Sequence, residues 1–114
     1  MSRASALPAA ETRRAAALFS ALADATRLRL VARMATAGPE PIVKLSAASS
    51  VSRQAITKHL RVLARAGLAR GQRAGRERIW RLDLERLAEA HDWLERISRQ
   101  WDDALARLAD LVER

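Results

Sequence analysis

The chain has no cysteine and no tyrosine, and a single phenylalanine among 114 residues. Without thiols it can build no disulfide, no thiolate metal site and no thiol redox sensor. Nowhere does an apolar run approach the roughly 18 residues of a membrane span. Met1 to Leu7 lack the apolar centre of a secretory signal, so a cytoplasmic product with no membrane partner is expected. Only two histidines are present, at unrelated positions, with no phosphate-cradling glycine loop and no evident pair of pocket carboxylates. An enzyme is therefore not expected. A basic membrane-surface helix would set its charges opposite a Trp/Phe/Leu stripe on one helix, which this chain does not do.

A further scarcity is local. From Ser52 to Arg81 the only acid is Glu77, against nine basic residues: Arg53, Lys58, Arg61, Arg65, Arg70, Arg73, Arg76, Arg78 and Arg81. That stretch carries +8, the net charge of the whole chain. Residues 1–51 carry +7 and −3, and residues 83–114 carry +5 and −9, so the flanks cancel. Charge gathered this way on one segment is a footprint for a polyanion.

What is plentiful is Ala, Leu, Arg and Glu, all strong helix formers, in a length that suits one domain over 1–114. Residues 1–10, rich in small side chains, are expected to be flexible. From Glu11 the pattern is helical, with Ala15, Leu18, Phe19 and Leu22 on one face. Asp24 suits the N-cap of a second helix that places Leu28, Val31, Ala32 and Ala35 inward and Arg27, Arg29 and Arg33 outside. Gly38, Pro39 and Pro41 end it. Ile42 to Ser49 reads as a short extended piece and then a short helix, and Ser49-Ser50-Val51 as a turn. Ser52 caps a helix to about Ala66, closed by Gly67. After Ala69 the period shortens: two β-like runs flank a turn at Ala74-Gly75, with Trp80 and Leu82 alternating inward. Residues 84–113 form one helix without Gly or Pro. Its positions 87, 91, 94, 98, 101, 105, 108 and 112 repeat at the 3.5-residue spacing of a helix–helix seam.

Two helices, a tight turn and a basic hairpin make a helix-turn-helix reading of double-stranded DNA. A reading helix needs polar, forked or short side chains near its N-terminus. Ser52, Arg53, Gln54, Thr57 and Lys58 supply them: Arg and Gln can bond guanine and adenine edges in pairs, and the others suit phosphates or either base. His59 suits packing or a phosphate-side contact, and Arg61 extends the basic face. Arg73, Arg76 and Arg78 on the hairpin fit a phosphate or minor-groove contact. The bland alternative is a solvated amphipathic helix beside a solvated hairpin. The turn, the cap and the crowding of arginines with one nearby acid weigh against it.

The order of elements, with LADATRLRLVARMA (22–35), SRQAITKHLRVLARAGL (52–68) and RAGRERIWRLD (73–83), resembles the ArsR/SmtB-type winged-helix repressors over roughly residues 11–112. The resemblance implies a mainly α winged helix-turn-helix with a small β-hairpin wing. It also implies a homodimer through the first and last helices and repression at an inverted-repeat operator. Leu18, Phe19, Leu22, Trp93, Leu94, Trp101, Leu105 and Leu108 are the expected dimer contacts, with the tryptophans as anchors. Family metal sensors carry a thiol site before the reading helix, where this chain has IVKLSAASS. Others bind zinc on the last helix, where this chain offers His91 with Glu89, Asp92 and Glu95. One imidazole is not a set of four ligands, so neither a metal nor a cofactor is expected. The effector is not legible. The rival reading from the residues is a sequence-neutral architectural DNA-binding protein.

Overall fold

A computed structural model describes residues 8–47 and 49–113. The expected flexibility of residues 1–7 therefore lies outside the described residues. Helix α1 (Ala9–Leu22) begins two residues before Glu11 and buries Ala15, Leu18 and Ala21. Helix α2 (Ala25–Ala37) is capped by Asp24, whose carboxylate accepts from the Arg27 amide at 3.0 Å. Its inward face differs from the sequence expectation. Leu30, Val31 and Met34 are buried, whereas Leu28, Ala32 and Ala35 are exposed. Leucines stand at both 28 and 30, so two adjacent faces compete, and burying Leu30 with Met34 removes more apolar area than Leu28 with two alanines.

The next element is a strand. Glu40–Pro41 (β1) pairs antiparallel with Trp80 and Ile79, and α3 (Ile42–Ala47) follows at once, so the extended piece lies two residues earlier than expected. The strand is short and at a sheet edge, where proline is tolerated. Helix α4 (Arg53–Arg65) opens on Ser52, whose Oγ accepts from the Ala55 amide at 3.2 Å. It closes on Gly67, at φ +80°, with Leu68 N bonded to Leu63 O and Gly67 N to Ala64 O. This is a Schellman ending, which needs the left-handed conformation that glycine adopts freely. Strands β2 (Ala69–Ala74) and β3 (Glu77–Leu82) form the wing. Ala74 pairs with Glu77, so the turn residues are Gly75 and Arg76 rather than Ala74 and Gly75. Helix α5 (Leu84–Glu113) runs unbroken for 30 residues.

Sheet order is β1-β3-β2. The core joins Leu18, Leu30, Met34, Leu45, Ile56, Leu60, Leu63, Leu68 and Trp80, so every helix up to α4 and the wing base share one apolar centre. Helix α5 contributes Ala90, with Leu87 packed alongside. The described residues extend 68 × 26 × 20 Å. A 30-residue helix is about 45 Å long, so α5 accounts for most of that length.

Candidate nucleic-acid interface

Helix α4 has two faces of opposite character. Ile56, Leu60 and Leu63 are fully buried, while Arg53, Gln54, Lys58, Arg61 and Arg65 are exposed at helical spacing. The turn before it is held by the Ser49 hydroxyl, which accepts from the Val51 amide at 3.1 Å. No non-glycine residue among those described has positive φ, so this side-chain bond lets Ser50 stand where a turn favours Gly or Asn. Thr57 is half-buried and donates its hydroxyl proton to Arg53 O at 2.9 Å, leaving it an acceptor toward any ligand.

Of the two roles expected for His59, packing or a phosphate-side contact, its position fits packing. Its ring, 23% exposed, points to the α1–α2 junction and not along the exposed face of α4. Nδ1 lies 3.3 Å from Arg27 Nη1 and 3.7 Å from Asp24 Oδ2. Arg27 Nε in turn donates to Ala21 O, the end of α1, at 2.6 Å. His59 thus ties α4 to the first two helices and does not share the exposed face of Lys58. The helical period already separates it from Lys58 by about 100°. The Asp24 carboxyl is held below its ordinary value, chiefly by the Arg27 amide and also by the charges of Arg27 and His59.

On the wing, Arg73 lies directly opposite Arg78, and Gly71 opposite Trp80. These four share one face of the hairpin, because residues two apart on a strand point the same way. Like charges directly opposite each other are destabilising. Arg78 stacks over Trp80, 5.6 Å from the ring centroid. Arg70 is occupied: its guanidinium lies 2.8 Å from Asp83, which also caps α5 by accepting from the Arg86 amide at 3.1 Å. That amide, and then Arg70, holds the Asp83 carboxyl below its usual range.

The ion pairs sort the arginines. Outside the basic stretch, Arg14 and Arg86 meet Glu89, Arg33 meets Glu40, Arg96 meets Glu11 and Arg99 meets Glu95. Within Ser52 to Arg81, only Arg70 of the nine cations has a carboxylate partner among the described residues. Arg65 belongs with the free set although sequence reasoning did not place it there. Its spacing of four from Arg61 was the available signal.

The expected dimer contacts divide as well. Leu18 is 1% exposed inside the protomer's own core, so it offers nothing to a partner. Phe19 and Leu22 are half-buried. Trp93 is half-buried with its ring edge-on to Phe19 at 5.7 Å, and its indole N–H is buried without an acceptor among the described residues. Leu94, Trp101, Leu105 and Leu108 are exposed, Trp101 at 68%. His91, Asp92 and Glu95 bring one donor atom each within 4.8 Å of one another, all exposed. No helix among the described residues is long and apolar enough to cross a membrane.

A capped, basic helix beside a hairpin whose Arg73, Arg76 and Arg78 have no carboxylate partner among the described residues defines a winged helix-turn-helix DNA-binding domain. A helix-turn-helix family profile matches residues 22–72. The chain is 38% identical to the HTH-type transcriptional regulator Rv2034 of Mycobacterium tuberculosis, over 83% of this chain and 85% of that protein. An ArsR-like transcriptional regulator from Rhodococcus sp. RHA1 superposes with a TM-score of 0.78 at 33% identity, over 88% of this chain and 93% of that one. The antimony-specific transcriptional repressor AntR superposes at 0.66 with 30% identity, covering 85% of this chain and 88% of that one. The protein belongs to the ArsR-like family of helix-turn-helix transcriptional regulators, a family of DNA-binding regulators and not of enzymes.

Proposed function

We propose that the protein is a homodimeric repressor that occupies an inverted-repeat operator. Helix α4 enters the major groove with Ser52, Arg53, Gln54, Thr57, Lys58 and Arg61. The wing residues Arg73, Arg76 and Arg78 hold the flanking backbone or minor groove. The observation that carries this reading is the set of cations on α4 and the wing left without carboxylate partners, while five arginines elsewhere are paired. Unpaired guanidiniums crowded on one face fit a polyanion. Repression is supported by the 30% identical antimony-specific repressor; its antimony response does not transfer with it. Soft metalloids take thiolate ligands, and this chain has no cysteine.

Dimerisation is supported by the far half of α5. Leu94, Ile97, Trp101, Leu105, Leu108, Leu111 and Val112 are all exposed large hydrophobics on one helix. An apolar stripe of this extent marks an interface in a soluble protein. Pairing two chains through α5, with Phe19, Leu22 and Trp93 at the margin, sets two α4 helices about 34–36 Å apart for successive major grooves. Selection of genomic fragments by the purified protein tests the reading, followed by titration of the recovered duplex against a shuffled one. An inverted repeat bound at least about a thousandfold tighter is expected. Equal affinity for both duplexes would replace it with sequence-neutral architectural binding.

A further inference from the structure

Between α4 and the wing runs a groove of about 580 Å³. Its floor is largely apolar, formed by Ile42, Ala64 and Trp80, and its edges carry Arg61 and Arg65 from the helix and Arg78 from β3. None of these three guanidiniums has a carboxylate partner among the described residues. Arg78 does not simply trail into solvent, because it is stacked on Trp80. The space for that stacking comes from residue 71. A Cβ on Gly71 would meet Arg78 Nε at 2.6 Å and the Trp80 ring at 3.1 Å. Gly71 is not among the glycines with positive φ, so what it supplies is room and not a special backbone conformation.

We infer that this groove is the seat of one DNA phosphodiester, on the strand that passes between the reading helix and the wing. Three guanidiniums around an apolar floor, one of them held over Trp80, match that chemistry. Guanidinium forks bond phosphate oxygens in pairs, and the deoxyribose lies against Trp80 and Ala64. Arg78 is then a sequence-neutral phosphate contact on the groove side of the wing, separate in role from Arg76 in the turn. Gly71 and Trp80 are positioning residues that hold it there. The assignment rests on the operator reading above and adds Arg65, Gly71 and Trp80 to it.

The test is fluorescence anisotropy with the full chain, on the selected duplex and a shuffled duplex, between 50 and 200 mM salt. Each phosphate contact contributes about 0.9 to the log–log salt slope, or about a 3.5-fold loss of affinity across that range. Because the three guanidiniums share one phosphate, Arg65→Ala and Arg78→Ala should each lower the slope on both duplexes, by no more than about 0.9. Gly71→Ala changes no charge, yet it should reproduce most of the Arg78→Ala loss, and the double variant should be no weaker than Arg78→Ala alone. Circular dichroism checks that each variant is folded; Arg65→Ala, on an exposed helical face, keeps the test open if Gly71→Ala is not. A wild-type slope for Gly71→Ala or Arg65→Ala, or additive losses in the double variant, overturns the seat. The predicted slopes without any preference for the selected duplex would uphold the seat and sink the operator reading instead.

Discussion

Gln54 and Lys58 lie one turn apart on the same exposed face of α4, and their chemistry divides their roles. An amide can bond an adenine edge in a pair, whereas an ammonium is a point charge suited to phosphate. Gln54→Ala is expected to cost about 1–3 kcal/mol on the operator and to relax preference at one base pair. Lys58→Ala should weaken operator and random DNA alike. Equal losses from both variants on both duplexes would remove Gln54 from base reading. Trp93 offers a second residue-scale test, since its N–H is buried with no acceptor among the described residues. Leaving such a donor unpaired costs about 1–3 kcal/mol. Trp93→Phe keeps the edge contact with Phe19 and removes the orphan, so chemical denaturation should show stability unchanged or raised. A loss above about 2 kcal/mol would mean that the lost ring volume and its packing outweigh removal of the orphaned donor. His59 shows how far a residue type is legible. A histidine beside Lys58 suits packing or phosphate on the sequence, and its place a third of a turn round the helix, against Arg27 and Asp24, fits packing.

At the scale of elements, β1 and α2 are joined by Arg33 and Glu40. Arg33 Nε donates to Glu40 Oε1 at 2.6 Å and Nη2 to Oε2 at 2.8 Å, and Glu40 itself is buried. The hydrogen bonds and charge of Arg33 hold the Glu40 carboxyl below its ordinary value of 4.5, against desolvation acting the other way. A carboxyl whose folded pKa is depressed contributes stability that is fully present above its unfolded pKa and lost as pH falls through the folded one. Asp24, Asp83 and Glu89 are shifted the same way, Glu89 first by Arg86 and then by Arg14. Thermal stability should therefore be flat above about pH 5 and fall on acidification. Glu40→Gln should be less stable at neutral pH and lose less on acidification; parallel pH profiles for variant and wild type would dissociate the pair from stability. On α5, His91, Asp92 and Glu95 supply three exposed donors with a single imidazole. Structural zinc takes four ligands, so micromolar zinc is expected to leave operator affinity unchanged. A stoichiometric zinc effect abolished by His91→Ala would reverse that.

The whole molecule is a body of helices and wing with one helix reaching beyond it. Trp101, Leu105 and Leu108 lie on the reaching part and are more than half exposed or at half. Trp101→Glu sets a charge where a partner's apolar face is expected, and burying an unpaired charge is strongly unfavourable. Sedimentation should find a monomer with its helical signal largely kept and its operator affinity lost. An intact dimer binding normally would place the interface elsewhere. Because a monomer presents one reading helix to a two-fold site, loss of dimer and loss of operator binding should coincide.

The elements themselves were readable because their causes are local. Asp24 and Ser52 cap helices through bonds to amides three residues on, Gly67 ends one through its left-handed φ, and the basic run lies in consecutive sequence. What the chain order could not reveal depends on residues far apart. The choice of Leu30 over Leu28, the pairing of Glu40 with Arg33 beneath Trp80, and the burial of Leu18 were decided when helices competed for one small core. The same holds for which arginines are free. Composition counts charges, but only packing brings Arg70 to Asp83 and Arg14 to Glu89 and leaves Arg61, Arg65 and Arg78 around one groove, because an ion pair forms only where the fold brings its partners within about 4 Å.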